Sequence, residues 1–411
     1  MTAEKVLLLI IDGVSDRPCP DLGNLTPLQA AHTPVLDRIA AEGVCGIMDT
    51  IAPGIRPGSD TSHLSLLGYP PREFYTARGP LEAVGTGIRM EPGMIGFRCN
   101  YATLDAAGKV SDRRAGRISD TTDLTRAIVD GVDLSEFGIG IQFRSGAGHR
   151  AALAFRGDGL GSDVSSNDPK HDGVSPPPFR ALSNNPADQK TALALNSFVR
   201  QAEQILAGHP LNRDRQSRGL APATTILIRG GGEMGAFPQF KERYGLSGSV
   251  IAAATLINGI GSSVGLRVVP VEGATGSSNT NLSGKVEAVL SELKAQDFVL
   301  FNIKGTDEAG HDGDALRKRD FIEKIDSAIT PFLSIDGLLI VVCADHSTPC
   351  SIRDHSADPV PLVIRGDGVR TDPVRSFDEI TCAQGGLNRV TGSALMPIIC
   401  DMINRAEKYG A

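Results

Sequence analysis

Short, unbroken runs of hydrophobic residues punctuate the first and last parts of the chain, and each stops at a polar or glycine-bearing turn. Val6-Leu7-Leu8-Leu9-Ile10-Ile11 is the first, closed by Asp12-Gly13. Thr225-Ile226-Leu227-Ile228, closed by Arg229-Gly230-Gly231-Gly232, repeats the pattern, as do 266–269, 298–303, 338–342 and 360–364. Runs of this length without polar alternation predict strands buried on both faces, as in a parallel sheet. Between them the period changes. Leu316, Phe321, Ile322, Ile325, Ile329, Phe332 and Leu333 keep helical spacing and predict a helix within 314–333. Thr26-Pro27 and Thr33-Pro34 read as helix starts, with threonine as N-cap and proline at the first helical position. Strands alternating with helices predict an α/β fold with a doubly wound, mostly parallel sheet.

The middle of the chain follows a different rule. Ile139-Gly140-Ile141-Gln142-Phe143-Arg144 and His149-Arg150-Ala151-Ala152-Leu153-Ala154-Phe155-Arg156 flank Ser145-Gly146-Ala147-Gly148, which predicts an antiparallel hairpin. A polar stretch, 157–173, follows, and Ser175-Pro176-Pro177-Pro178-Phe179 forms a stiff link. The expected organisation is a core domain of residues 1–95 and 185–411, interrupted by a smaller α+β cap domain over 96–184. The Gly/Ser/Asn-rich stretch 273–284 is expected to be loop.

Composition narrows the function classes. A chain of 411 residues with 41% hydrophobic content can build more than one core. Tryptophan is absent and aromatics are 5%, so aromatic cages and base-stacking platforms are poorly supplied. Net charge is −7 with no Lys/Arg-dense tract, which argues against general nucleic-acid binding. Seven cysteines, an odd number without a C-x-x-C pair, are expected as reduced thiols. The run Val6 to Ile11 is too short for a signal or membrane-spanning segment. A cytoplasmic location without membrane or nucleic-acid partners is expected.

Five separated pieces offer metal-ligand residue types at turns or strand ends: Asp12, Ser59, the pair Asp307 and His311, the pair Asp345 and His346, and His355. Asp307 and His311 are four apart, which on a helical turn puts carboxylate and imidazole on one face. Asp345 and His346 are adjacent and can converge where the backbone turns at a strand end. Ser59 lies in a glycine-flanked turn, Gly58-Ser59-Asp60-Thr61-Ser62-His63, with His63 structural or supporting. A serine hydroxyl needs a base or a metal to become a nucleophile. Three carboxylates, three imidazoles and this hydroxyl are about what two divalent cations and an activated serine require, which points to phosphoryl or sulfuryl transfer.

These motifs, together with Lys304-Gly305-Thr306-Asp307-Glu308-Ala309-Gly310-His311-Asp312-Gly313, Ala344-Asp345-His346-Ser347, Gly79-Pro80-Leu81-Glu82-Ala83 and Glu272-Gly273-Ala274-Thr275-Gly276, resemble the archaeal-type cofactor-independent phosphoglycerate mutases of the alkaline phosphatase superfamily. The resemblance implies an alkaline-phosphatase-like core and two metal sites, one of Asp307, His311 and His355, the other of Asp12, Ser59, Asp345 and His346. It implies that Ser59 is phosphorylated and that 2,3-bisphosphoglycerate is not needed; hard oxygen plus imidazole ligands suit Mn²⁺, with Zn²⁺, Co²⁺ or Mg²⁺ as alternatives. The substrate would be a small phosphoglycerate, and a closing cap would keep water from the phosphoserine. Its carboxylate calls for arginines, with Arg113, Arg114, Arg117, Arg144, Arg150 and Arg229 as candidates. Asp112 and His149 are candidate proton carriers, and Asp168-Pro169-Lys170-His171 a second substrate-contacting turn. The competing readings are an ATP-dependent kinase of the homoserine kinase type and a metal-dependent phosphatase.

Overall fold

The computed structural model describes residues 3–408 and 410. In chain order its strands are β1 (Lys5–Ile11), β2 (Val44–Asp49), β3 (Ile95–Leu104), β4 (Val110–Asp112), β5 (Gly140–Ser145), β6 (Arg150–Arg156), β7 (Thr225–Glu233), β8 (Gly248–Ile251), β9 (Arg267–Val268), β10 (Phe298–Ile303), β11 (Leu338–Cys343), β12 (Val360–Arg365) and β13 (Asn388–Thr391). The chain divides into two compact units. One runs up to Tyr75 and resumes at Phe237; the other is Thr76–Ala236. No helix among the described residues is long and apolar enough to cross a membrane. The seven cysteines are free and buried.

The first unit holds an eight-stranded sheet in the order β13-β2-β12-β11-β1-β10-β8-β9. β1 lies between β11 and β10 and is parallel to both. Every residue from Val6 to Ile11 is buried, as a strand covered on both faces requires. The segment 360–364, expected to be another parallel strand, forms β12 and runs antiparallel to both β11 and β2. No helix intervenes between β11 and β12, and without a crossover the returning strand pairs in reverse. The helix expected within 314–333 is Ala315–Ala328, followed by the 3₁₀ turn Thr330–Ser334. Thr26 caps its helix through its hydroxyl, whereas Thr33 caps the next without a side-chain hydrogen bond.

A fully buried lysine ties the loops that follow β1 and β11. Lys318 Nζ donates to Asp16 Oδ2 at 2.7 Å, to the Thr348 carbonyl at 3.0 Å and to the Ser15 carbonyl at 3.1 Å. Both side chains of the ion pair are 0% exposed. Removing one partner of such a pair leaves an uncompensated charge and costs about 3–5 kcal/mol. Lys318→Met is therefore expected to lower unfolding stability by about that amount. A denaturant midpoint indistinguishable from wild type would refute this role for the lysine.

The second unit is built on an antiparallel sheet of order β4-β3-β6-β5, with β7 on the other edge of β3. The expected hairpin is present as β5 and β6. Alternation along β6 sorts Ala151, Leu153 and Phe155 into one core cluster and Ala152 and Ala154 into another. The larger cluster includes Leu195, Phe198 and Leu206 of the helix Pro186–Gly208. On the other face, Ala83 of the helix Arg78–Gly85 joins Ala152 and Ala154. Gly79 lets that helix approach backbone to backbone, since a methyl there would collide with the carbonyls of Gly96 and Gly230.

This unit extends beyond the expected 96–184 insert at both ends. The segment 225–228, expected as a core strand, is β7 and pairs antiparallel with β3. A buried apolar run reads alike in either kind of sheet, and only its partner distinguishes them.

Candidate active site

In the first unit, the seven residues expected as ligands come from strand ends and from the loops and helices that follow β1, β2, β10 and β11. Asp12 follows β1, and Asp345 and His346 follow β11. Asp307 and His311 sit on the helix Gly305–Asp312 directly after β10, with His311 Nε2 3.3 Å from Asp307 Oδ1, as the four-residue spacing requires. Ser59 opens the helix Ser59–Leu66 instead of lying in a turn. Its Oγ is 3.1 Å from His346 Nε2. His346 Nε2 also lies 3.2 Å from Asp345 Oδ2 and 3.8 Å from Asp12 Oδ1.

The three histidines are oriented alike. His311 Nδ1 is 2.9 Å from the Arg353 carbonyl, and His355 Nδ1 is 2.8 Å from the Pro57 carbonyl. A carbonyl only accepts, so in each ring Nδ1 carries the proton and Nε2 is left for another partner. His346 Nδ1 is held at 3.0 Å by the Thr348 hydroxyl. His355 Nε2 lies 3.6 Å from Asp307 Oδ1, His346 groups with these two residues, and His346 groups again with Asp12 and Asp345. His346 and His355 are stacked, with centroids 3.5 Å apart. His346 thus belongs to both groups, which the resemblance divides between two ligand sets.

Charge explains why these groups can be buried together. Burial and then the Asp345 charge push the Asp12 carboxyl up. Burial also raises Asp307 and Asp345, but Lys304 beside Asp307 and His346 beside Asp345 outweigh it, and both end well below the usual carboxylate range. Lys304 Nζ bridges Asp307 Oδ2 at 2.6 Å and Asp12 Oδ1 at 3.0 Å. Burial and the adjacent His346 bring His355 down to about 4, which keeps it neutral. Asp345 Oδ2 is buried and, among the described residues, accepts no well-formed hydrogen bond, although His346 Nε2 lies 3.2 Å away. A buried carboxylate oxygen without a well-formed hydrogen bond, beside imidazoles presenting Nε2, fits a divalent cation.

Sequence reasoning missed three supports, Lys304, Asn302 and Thr348, whereas His63 was expected as structural or supporting. Lys304 and Asn302 were hidden in plain view next to the Asp307 motif. Asn302 Nδ2 donates to Asp12 Oδ2 at 3.1 Å and lies 3.2 Å from His63 Nε2. His63 Nδ1 contacts the Ser59 carbonyl at 2.8 Å, so His63 steadies the serine's helix. Thr348, beyond Asp345-His346, carried no signal of its own.

The second unit holds the arginine candidates. Arg113 grips the buried Asp168 with two hydrogen bonds, 3.0 and 2.8 Å, and Arg229 pairs with the same carboxylate. Burial, then Arg150, Arg114 and Arg98, bring His149 down to about 4, so these groups cluster. Arg98 and Arg78 were not anticipated. Both approach the buried Glu82, and Arg98 Nε has no hydrogen-bond partner. Burial and Arg78 bring Arg98 down to about 9. Two candidates fall outside this group. Arg117 is exposed and makes no ion pair among the described residues, and Arg144 lines a separate groove with Thr122 and Arg126. The Asp112 carboxylate is engaged by the backbone N–H groups of Arg114 and Gly116 at 2.7 and 2.8 Å.

Residues 4–402 match the family model of the metalloenzyme superfamily. A 2,3-bisphosphoglycerate-independent phosphoglycerate mutase from Methanoculleus marisnigri is 66% identical over 411 residues, covering 100% of both chains. Among solved structures, a protein from Pyrococcus horikoshii superposes with a TM-score of 0.84 at 34% identity, covering 100% of both chains. A cofactor-independent phosphoglycerate mutase from Thermoplasma acidophilum gives a TM-score of 0.69 at 36% identity, covering 98% of this chain and 100% of that one.

Proposed function

Because the chain belongs to the metalloenzyme superfamily and, within it, to the 2,3-bisphosphoglycerate-independent phosphoglycerate mutases, metal-dependent isomerases that interconvert 3-phosphoglycerate and 2-phosphoglycerate, we propose that Ser59 is the phosphoryl carrier between the two hydroxyls of glycerate. The observation that carries this assignment is the Ser59 hydroxyl 3.1 Å from His346 Nε2, beside buried carboxylates and imidazoles able to hold a cation. Full-length relatives named as mutases weigh against the kinase and phosphatase alternatives.

Asp307, His311 and His355 would hold one divalent ion, and Asp12, Ser59, Asp345 and His346 a second. Mn²⁺ is the first choice for this oxygen and imidazole set, with Zn²⁺, Co²⁺ or Mg²⁺ as alternatives. When bound, the ions supply positive charge to the phosphoryl oxygens and make the serine hydroxyl more acidic. Ser59 Oγ attacks phosphorus. The Oγ–P bond forms as the bond from phosphorus to the substrate ester oxygen breaks; Oγ gives up its proton, the ester oxygen takes one up, and Oγ regains one in the reverse step. The reverse step delivers the phosphoryl group to the other hydroxyl, which gives up its proton. Ser59 at the first position of its helix lies at the positive end of the helix dipole, which favours the phosphoserine anion. Lys304 adds a further positive charge between Asp12 and Asp307.

Arg150 is assigned to the carboxylate of the substrate, with Arg113 and Arg229, both held by Asp168, as further candidates; Arg117, exposed, is the poorest of the sequence candidates. Asp112, whose oxygens cap a turn, is less free to carry a proton than His149, whose ring burial and the nearby arginines make less basic than an ordinary imidazole. The deciding test gives the metal-loaded protein 3-phosphoglycerate without ATP or 2,3-bisphosphoglycerate. The expected product is 2-phosphoglycerate with little free phosphate. A requirement for ATP, or phosphate release at every turnover, would end the mutase reading.

The arginine assignment makes its own prediction. A hydrogen bond to a charged group contributes about 1.5–3 kcal/mol, so Arg150→Gln should weaken glycerate retention roughly ten- to a hundredfold. Phosphoserine then meets water more often, and free phosphate per 2-phosphoglycerate rises. An unchanged ratio with normal isomerisation would remove Arg150 from the site.

A further inference from the structure

We propose that Thr348 is a positioning residue that couples the two ligand groups of the metal centre through its single hydroxyl. The proposal rests on the ligand assignment above. Thr348 is fully buried. Its Oγ1 donates to Asp307 Oδ1 at 2.9 Å and lies 3.0 Å from His346 Nδ1. A hydroxyl has one proton, and here it goes to a carboxylate that can only accept. The remaining lone pairs face His346, so His346 Nδ1 must carry the proton. Nε2 is then the atom left open towards Ser59 Oγ and Asp345 Oδ2, at 3.1 and 3.2 Å.

His311 and His355 obtain the same orientation from backbone carbonyls, each fixed by the local chain. His346 obtains it from a side chain whose other partner is Asp307, a ligand of the opposite set. One hydroxyl therefore sets the tautomer of His346 and, together with Lys304, holds the Asp307 carboxylate.

The surroundings keep that hydroxyl in place. The Thr348 N–H donates to the Ser15 carbonyl at 3.1 Å, and its own carbonyl accepts from Lys318 Nζ at 3.0 Å. Gly13, with φ at +65°, leaves the room: a methyl there would lie 2.6 Å from Thr348 Oγ1 and 2.8 Å from Asp307 Cβ. The segment 12–13 is thus shaped for the hydroxyl as well as for the Asp12 ligand.

The test measures Mn²⁺ affinity and stoichiometry by calorimetric titration in wild type, His346→Ala, Thr348→Val, Thr348→Ala and Thr348→Ser. Groups that orient metal ligands typically contribute about 10–100-fold in affinity. Thr348→Val, or Thr348→Ala if the valine variant does not fold, is expected to weaken both binding events by about that factor. Thr348→Ser, which keeps the hydroxyl, should restore them. Wild-type affinity at both sites in the valine or alanine variant would overturn the proposal, as would a loss that serine does not repair. If His346→Ala also bound metal normally, the ligand assignment itself would have failed, and the two failures are told apart. A further reading needs no variant. In Zn²⁺-loaded wild type, ¹⁵N NMR should find the His346 proton on Nδ1; a proton on Nε2 would overturn the proposal.

Discussion

Ser59→Ala is expected to lower isomerisation by at least about a thousandfold, as loss of a covalent nucleophile does. The fold should survive, because the side chain is small and its one hydrogen bond, to His346, contributes only about 0.5–1.5 kcal/mol. Rapid quench with phosphoryl-labelled substrate should trap label on the wild-type chain and none on the variant, with unchanged melting. The alternative in which Ser59 only helps to hold a cation predicts a partial loss with label still on protein. Near-normal turnover by Ser59→Ala would sink the assignment of Ser59 as carrier.

The second large effect concerns the ligands and distinguishes two versions of the centre. The family pattern divides them cleanly, so Asp307→Asn or His355→Ala should each remove about one metal equivalent from one site, and Asp345→Asn about one from the other, with activity lost by orders of magnitude in every case. The geometry adds an asymmetry. His346 gathers with Asp307 and His355 on one side and with Asp12 and Asp345 on the other. His346→Ala is therefore expected to weaken both binding events, where Asp345→Asn weakens chiefly one. Metal content by mass spectrometry after dialysis reads the difference. Two tightly held ions and full activity in His355→Ala would detach His355 from the centre. Equal, single-site losses in His346→Ala and Asp345→Asn would mean that His346 serves one ion only.

The legibility of this molecule follows from where its information lies. Asp12, Asp307, Asp345 and His346 were readable because each closes, or closely follows, an apolar run, and a strand end is where an α/β sheet places its chemistry. The Asp307–His311 pair was readable because four residues make one helical turn. The antiparallel hairpin was readable from alternation, which β6 keeps residue by residue in the two clusters on its faces. Supporting residues were not. Arg98, on β3, acquires meaning only from Glu82 and Arg78 of the helix packed on that sheet, whose register no local pattern encodes, although Arg78 and Glu82 are themselves only four apart on that helix.

The sequence by itself determined the local alternatives: which segments bury both faces, which bury one, where helices begin, and which residue types stand at the strand ends. These depend on short-range periodicity and backbone preference, which a few neighbouring residues suffice to set. Only the tertiary structure decided pairing. It placed 225–228 beside β3 instead of in the eight-stranded sheet, turned β12 against its neighbours, and extended the second unit to Thr76 and Ala236. It also decided which polar groups share a buried space. Lys318 is a helix residue until Asp16 and two carbonyls surround it, and Thr348 is a loop residue until Asp307 and His346 do. The physical reason is the same in each case. Strand pairing and charge compensation are energies between segments that are often far apart in sequence, and they exist only once the chain has closed around them.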